Sequence, residues 1–352
     1  MNFQNGVRTL ITIRPFENND QDYRQAVNIV NTVWPEYPDT VDEWKESDEK
    51  RSNLLKRGRF FAEIDGKPVG FANYSQSLWI NHPGKLFVGV EVLPEFRRRG
   101  VGSALWEHLC KEVQQFDPLR LLAHTREDYE DGIRFAAKQG FEELMRDWES
   151  RLYPASFDLD EWSRYPRQVA EQGIEIKTVA ELKSDPNRDR KLYDLEWLID
   201  RDVPSPEPPS KVPFEEFQKI WERTNLLPDA WYVAVDNDEY VGMTNLWSSQ
   251  ANAKLLYVGI TGVTRSHRKR GIAMALKVRS VEYALQKGFS EIRTWNETNN
   301  QAMLGINNRL GFVRQPAHIE FGKAMREERP EDAELKIQDA AQEDEKSEVG
   351  PS

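Results

Sequence analysis

Two stretches of the chain combine arginines and glycines in a way that could hold an anion. Arg97-Arg98-Arg99-Gly100-Val101-Gly102 and Arg268-Lys269-Arg270-Gly271-Ile272-Ala273 share the pattern Arg-x-x-Gly-x-Gly/Ala, each between a β-rich run and an amphipathic helical run. Backbone N–H groups at a helix start have no intrahelical partner and carry the positive end of the dipole, so a diphosphate fits there. Gly100 and Gly102, or Gly271 and Ala273, keep side chains out of the way of ligand oxygens, while Arg97, Arg99, Arg268 and Arg270 add charge. A dinucleotide loop or a solvated basic turn would use the same letters. However, G-x-G-x-x-G is absent, as is the Gly-Lys-Ser/Thr ending of a P-loop. The preceding order of strand, helices, hairpin and strand also speaks against a Rossmann fold.

The elements that must position these loops repeat with them. The two motifs stand 171 residues apart, and so do Gly140-Phe141 and Gly311-Phe312, while Val69-Gly70 and Val241-Gly242 are offset by 172. One fold is therefore expected twice. In the first copy, strands are predicted over 10–13, 60–64, 69–75, 86–92, 119–123 and 141–152, and helices over 22–33, 101–113 and 129–138. The second copy repeats this with strands over 174–176, 231–235, 240–246, 255–263 and 292–295 and helices over 191–199, 214–221, 272–286 and 300–309. The fold class is α/β with a mixed sheet.

The expected domains are residues 1–155 and 171–325. A linker over 156–170 is read from Pro154, Pro166 and a scarcity of aliphatics. Residues 326–352 read as an acidic disordered tail, because 331–352 holds eight acidic and two basic residues. Removal of 331–352 is expected to leave folding unchanged. The net charge of −11 argues against nucleic acid as a partner. The lone cysteine, Cys110, is read as core. A polar start without an apolar leader predicts a cytoplasmic protein. No apolar run is long enough for a membrane span, and the five histidines show no metal-ligand spacing. A monomer or homodimer without metal is expected.

The repeated motif resembles motif A of the GCN5-related N-acetyltransferases, [Q/R]-x-x-G-x-[G/A], and the resemblance spans nearly all of both copies: the sequence is identified as a tandem GNAT protein. Two tandem GNAT acyl-CoA N-acyltransferase folds are implied, with acetyl-CoA in a wedge where the strand before the motif splays from the next. The resemblance puts the pantetheine on backbone from Glu91 through Val92 to Leu93, and from Gly262 through Val263 to Thr264, with the diphosphate at Gly100 and Val101 and at Gly271 and Ile272. A second family signature is an Asn, then a Tyr, then Gly-Phe. The second copy has Asn300 and Asn307 at the first two positions; the first copy has Tyr129 and Ala136. Asn307 can hold a thiolate or a water but cannot donate a proton as Tyr does.

Catalysis is accordingly expected in the second copy, through Asn307 and Asn300, with the first copy a structural or cofactor-holding partner. Glu91 could act as a base there, or be a solvent-facing strand carboxylate, and Glu91→Gln is expected to matter little. For the acceptor, Asp202 is a candidate to bind a cationic amine, with Asn296 and Trp247 as pocket residues. The implied function is acetyl transfer from acetyl-CoA to a primary amine of a small molecule or peptide, within a ternary complex. Alternatives are a mycothiol synthase-like enzyme and an acyl-CoA-binding sensor without turnover.

Overall fold

In the computed structural model, which describes residues 10–337, the repeated sequence forms two compact units. Unit 1 holds the described residues up to His124 and from Gly322 on; unit 2 is Thr125–Phe321.

Unit 1 comprises β1 (Ile11–Pro15), α1 (Asp20–Val33), α2 (Val41–Glu49), β2 (Arg57–Ile64), β3 (Lys67–Ser75), β4 (Lys85–Val92), α3 (Val101–Val113) and β5 (Arg120–Arg126) as far as His124. Its strands run in the order β1-β2-β3-β4-β5. Local chemistry marks the boundaries. The Asn19 side chain accepts from Asp22 N at the start of α1, and Thr40 and Glu43 form a reciprocal capping box on α2. One sheet face packs Phe61 and Phe71 against Ala26 and Ile29 of α1. On the other face α3 comes so close to β3 that an ideal Cβ on Gly70 would lie 2.9 Å from Leu105 Cδ1.

Unit 2 comprises α4 (Glu130–Lys138), β6 (Glu142–Leu152), α5 (Leu159–Trp162), α6 (Arg164–Ala170), β7 (Ile174–Thr178), α7 (Arg188–Asp200), α8 (Phe214–Gln218), β8 (Leu226–Asp236), β9 (Glu239–Ser248), β10 (Leu255–Val263), α9 (Ile272–Lys287), β11 (Glu291–Glu297), α10 (Gln301–Arg309), β12 (Val313–Arg314) and β13 (His318–Ala324), whose first four residues lie in this unit. Its strand order is β13-β6-β11-β10-β9-β8-β7. The buried side of α9 and the sheet enclose Leu246, Leu256, Ala275, Val278 and Ile292. Among the described residues no helix is long and apolar enough to cross a membrane.

Three features depart from the sequence reading. Strand β6, the last of the first sequence copy, belongs instead to unit 2, antiparallel to β11 from Ile292↔Leu152 to Glu297↔Asp147. The expected linker 156–170 carries α5 and α6: Phe157, Trp162 and Tyr165 stack at 5.7 Å steps, Val169 is fully buried, and Pro166 sits in the first turn of α6, where its missing N–H costs nothing. Finally, the start of the expected tail is packed on unit 1. Asp332 is buried and bonded to Arg326 at 2.5 and 2.7 Å, Arg329 reaches Asp117 at 2.7 Å, and Ile337 N donates to Asn81 Oδ1 at 2.9 Å. Residues 338–352 lie outside the described residues.

Removing residues 331–352, or substituting Asp332→Ala, is therefore expected to lower Tm by about 3–6 °C for a unit of this size. Thermal denaturation checks this, and an unchanged Tm would return the segment to the role of a passive tail.

Candidate active site

The two Arg-x-x-Gly loops have the same backbone. Arg98 and Lys269 have φ of 60° and 62°, and Gly100 and Gly271 have φ of 88° and 84°. These left-handed steps turn successive N–H groups inward, making an anion-binding concavity. No side chain caps the start of α3 or α9. An ideal Cβ on Gly271 would meet nothing within 4 Å, and one on Gly100 only Ile11 Cδ1 at 3.8 Å, so the space in front of both helix starts is open. The first motif arginine braces the loop through its Nε: Arg97 Nε donates to Val92 O, and Arg268 Nε to Val263 O, each at 3.2 Å. Arg99 lies over Phe96, and Arg270 bonds Gln172 at 3.1 Å and approaches Asp236 at 3.4 Å.

Behind each loop the sheet opens. Strand β4 pairs with β5 only over Lys85–Phe87 and then runs on to Val92; β10 pairs with β11 only over Leu255–Tyr257 and runs on to Val263. The splay expected from the resemblance is thus present in both units. The expected backbone contacts at its far end are engaged within the protein. Leu93 N donates to Val69 O at 3.0 Å and Thr264 N to Val241 O at 2.8 Å, while Val92 O and Val263 O receive the arginines. The bonds of Leu93 and Thr264 run to β3 and β9, on the side of each strand away from the splay, and beyond Phe87 and Tyr257 the opposite side of β4 and β10 has no parallel partner strand among the described residues. In β10 that stretch is bulged between Val258 and Thr261, with Ile260 N held by Asn245 Oδ1 at 2.8 Å.

Glu91 differs from the solvent-facing carboxylate of the sequence reading. It stands opposite Phe71, on the sheet face that α1 covers, and its Oε2 is buried without a hydrogen-bond partner. Burial pushes its carboxyl up to about 7. Room for it comes from Gly89, whose ideal Cβ would lie 3.2 Å from Glu91 Oε1 and 3.3 Å from the Asn73 amide. Unit 2 keeps the neighbours and loses the acid. Asn245 stands beside Gly259 as Asn73 does beside Gly89, but the position 171 residues after Glu91 is Gly262, and an ideal Cβ there would lie 2.2 Å from Ile199 Cγ2.

The residues proposed for the second site separate into groups. Asn307 is 1% exposed, its Nδ2 donates to Asn296 Oδ1 at 2.6 Å, and its Oδ1 is buried without a partner. Asn300 is instead the N-cap of α10, accepting from Met303 N at 3.2 Å. Trp247 Nε1 lies by Gly259, 2.4 Å from its ideal Cβ position. Asp202 is bound to Arg265 and Arg268 at the loop, which match its charge. Sequence reasoning missed a carboxylate group beside β11. Asp147 is pushed up to about 6 by burial and by Glu297, and Glu320 up to about 7 by burial and by Asp147. Alternation along β6 and β13 was the available signal.

Both units thus present an open helix start beside a splayed parallel pair, and a family model for the acetyltransferase (GNAT) family matches residues 23–141 and 190–312. The chain belongs to the GNAT acetyltransferase family. It is an acyltransferase built from two GNAT repeats. N-alpha-acetyltransferase 30 of Schizosaccharomyces pombe is 30% identical over 125 residues, 35% of this chain and 78% of that protein. Mycothiol acetyltransferase of Actinosynnema mirum is 25% identical over 74% of this chain and 82% of its own length. Among solved structures, a tandem GNAT protein from the clavulanic acid biosynthesis pathway covers 91% of this chain and all of its own, with a TM-score of 0.68 at 17% identity.

Proposed function

We propose that this GNAT protein moves an acetyl group from acetyl-CoA to a primary amine of a small molecule or peptide in the cytoplasm, by direct transfer in a ternary complex. The single observation that carries the chemistry is the Glu91 carboxylate beside the splay of unit 1, whose Oε2 is buried without a hydrogen-bond partner. An amine must lose its proton to attack, and a carboxyl that titrates near 7 is matched to take it at neutral pH. Bound acetyl-CoA supplies the activated thioester. The chain's own part is to hold the diphosphate on the N–H groups after Gly100 and Gly271, exclude water with Phe71 and α1, and accept the amine proton at Glu91.

A second reading keeps turnover in unit 2, as the family's Asn signature implies. It is favoured by the orphaned Oδ1 of Asn307, which can accept a hydrogen bond from an amide N–H or the attacking amine. For the acceptor, similarity to mycothiol acetyltransferases over 74% of the chain supports a narrower alternative, a cysteinyl amine on a sugar scaffold.

Direct transfer is tested by initial rates with both substrates varied, together with intact mass after exposure to acetyl-CoA alone. Intersecting double-reciprocal lines and an unmodified chain are expected. Parallel lines with an acetylated protein that passes its acetyl group to amine would replace direct transfer with a covalent route.

A further inference from the structure

The two loops match in backbone but differ in what their cations already hold. Among the described residues no carboxylate pairs with Arg97, Arg98 or Arg99 in unit 1. In unit 2 the Asp202 carboxylate takes both Arg265 and Arg268: Arg265 Nε lies 3.1 Å from each oxygen, and the terminal nitrogens of both arginines close the contact. Arg265 has no counterpart in unit 1, where the position 171 residues earlier is Pro94. Asp202 itself is 14% exposed in its side chain, whereas Arg265 is 79% exposed, so the carboxylate is the inner member of the pair. It is delivered by a turn off the end of α7, with Asp202 N bonded to Ile199 O at 2.9 Å, and a segment containing five prolines follows between residues 203 and 213. Prolines limit the conformations open to that segment, which favours holding Asp202 in place.

We infer that Asp202 is a built-in competitor of the cofactor's diphosphate: its carboxylate occupies the cationic side of the second loop and must yield Arg265 and Arg268 when CoA binds, so unit 2 takes CoA more weakly than unit 1. The inference rests on the reading of both loops as CoA sites. A ligand whose competent protein state is only partly populated binds with an affinity reduced by that fraction. Removing the competing charge raises the fraction.

The test is calorimetric titration of the full chain with CoA, comparing wild type with Asp202→Asn and Asp202→Ser, and with Gly271→Glu to mark which phase belongs to unit 2. The expected result is a weaker phase that vanishes in Gly271→Glu and tightens by about five- to tenfold in both Asp202 variants, with the tighter phase unchanged. A second-unit phase that weakens or stays the same without the carboxylate would overturn the inference, because Asp202 would then position the arginines for the diphosphate rather than compete with it. If Gly271→Glu leaves every phase intact, the CoA reading of the loop falls, and the role of Asp202 falls with it.

Discussion

Glu91→Gln is expected to lower acetyl transfer by about 10²–10⁴-fold, the range that a positioned proton acceptor contributes, while leaving CoA binding intact and making the fold more stable at pH 8. The two effects have one origin. Burial holds the Glu91 carboxyl protonated up to about 7 in the folded chain, against its ordinary value of 4.5. Between those values the folded state binds a proton that the unfolded state has lost, so stability falls as pH rises through the window. Above it the fold carries a charge whose Oε2 is buried without a hydrogen-bond partner. Gln fills the same space without ionising, so the variant should lose that pH dependence and melt higher than wild type at pH 8. Wild-type turnover should rise with pH through about 7. Asn307→Ala is the comparison. If it abolishes turnover while Glu91→Gln leaves the rate and the melting curve unchanged, the chemistry belongs to unit 2.

Gly271→Glu is expected to eliminate CoA binding at the second loop, a loss of more than about 100-fold. The substitution puts a carboxylate in the open space before α9, where it opposes both the dipole and the diphosphate. The φ of 84° adds strain for any side chain, on the order of 1 kcal/mol. Gly271→Ala separates the two effects, since it carries the strain without the charge and should retain most binding. CoA is expected to raise Tm of the wild type through native-state binding, and Gly271→Glu should lose the second-site part of that rise. Full protection in Gly271→Glu, with two sites still titrating, would show that the diphosphate lies elsewhere.

Much of the fold was legible because local rules and the repeat agreed. The predicted bounds of α3 and β10 match those observed, since Gly100 stops the preceding loop and Val101, Leu105 and Leu109 mark one helix face, while β10 is a nearly continuous apolar run. What periodicity cannot show is which sheet a strand joins. Strand β6 alternates as a strand wherever it pairs, and its place beside β11 depends on partners far apart in sequence, such as Glu149 with Arg293 and His318. Residues 156–170 read as a linker because aromatic stacking replaced the aliphatic pattern. The loops of the site were readable from glycine and arginine spacing. Glu91 was not, since a strand carboxylate gives no sign of its burial until Gly89, Asn73 and Phe71 are placed around it. Asp202 was read as an acceptor residue because its partner Arg265 lies 63 positions away and outside the motif.

The central claim, acetyl transfer to an amine, is tested most directly by following free thiol from acetyl-CoA across a broad panel of primary amines, including small-molecule, peptide and cysteinyl-sugar acceptors. Amine-dependent thiol release is predicted for at least one class, in step with an N-acetylated product detected by mass and with a rate that climbs through about pH 7. CoA that binds tightly and raises Tm, while no amine on the panel releases thiol, would contradict it and make the chain an acyl-CoA sensor.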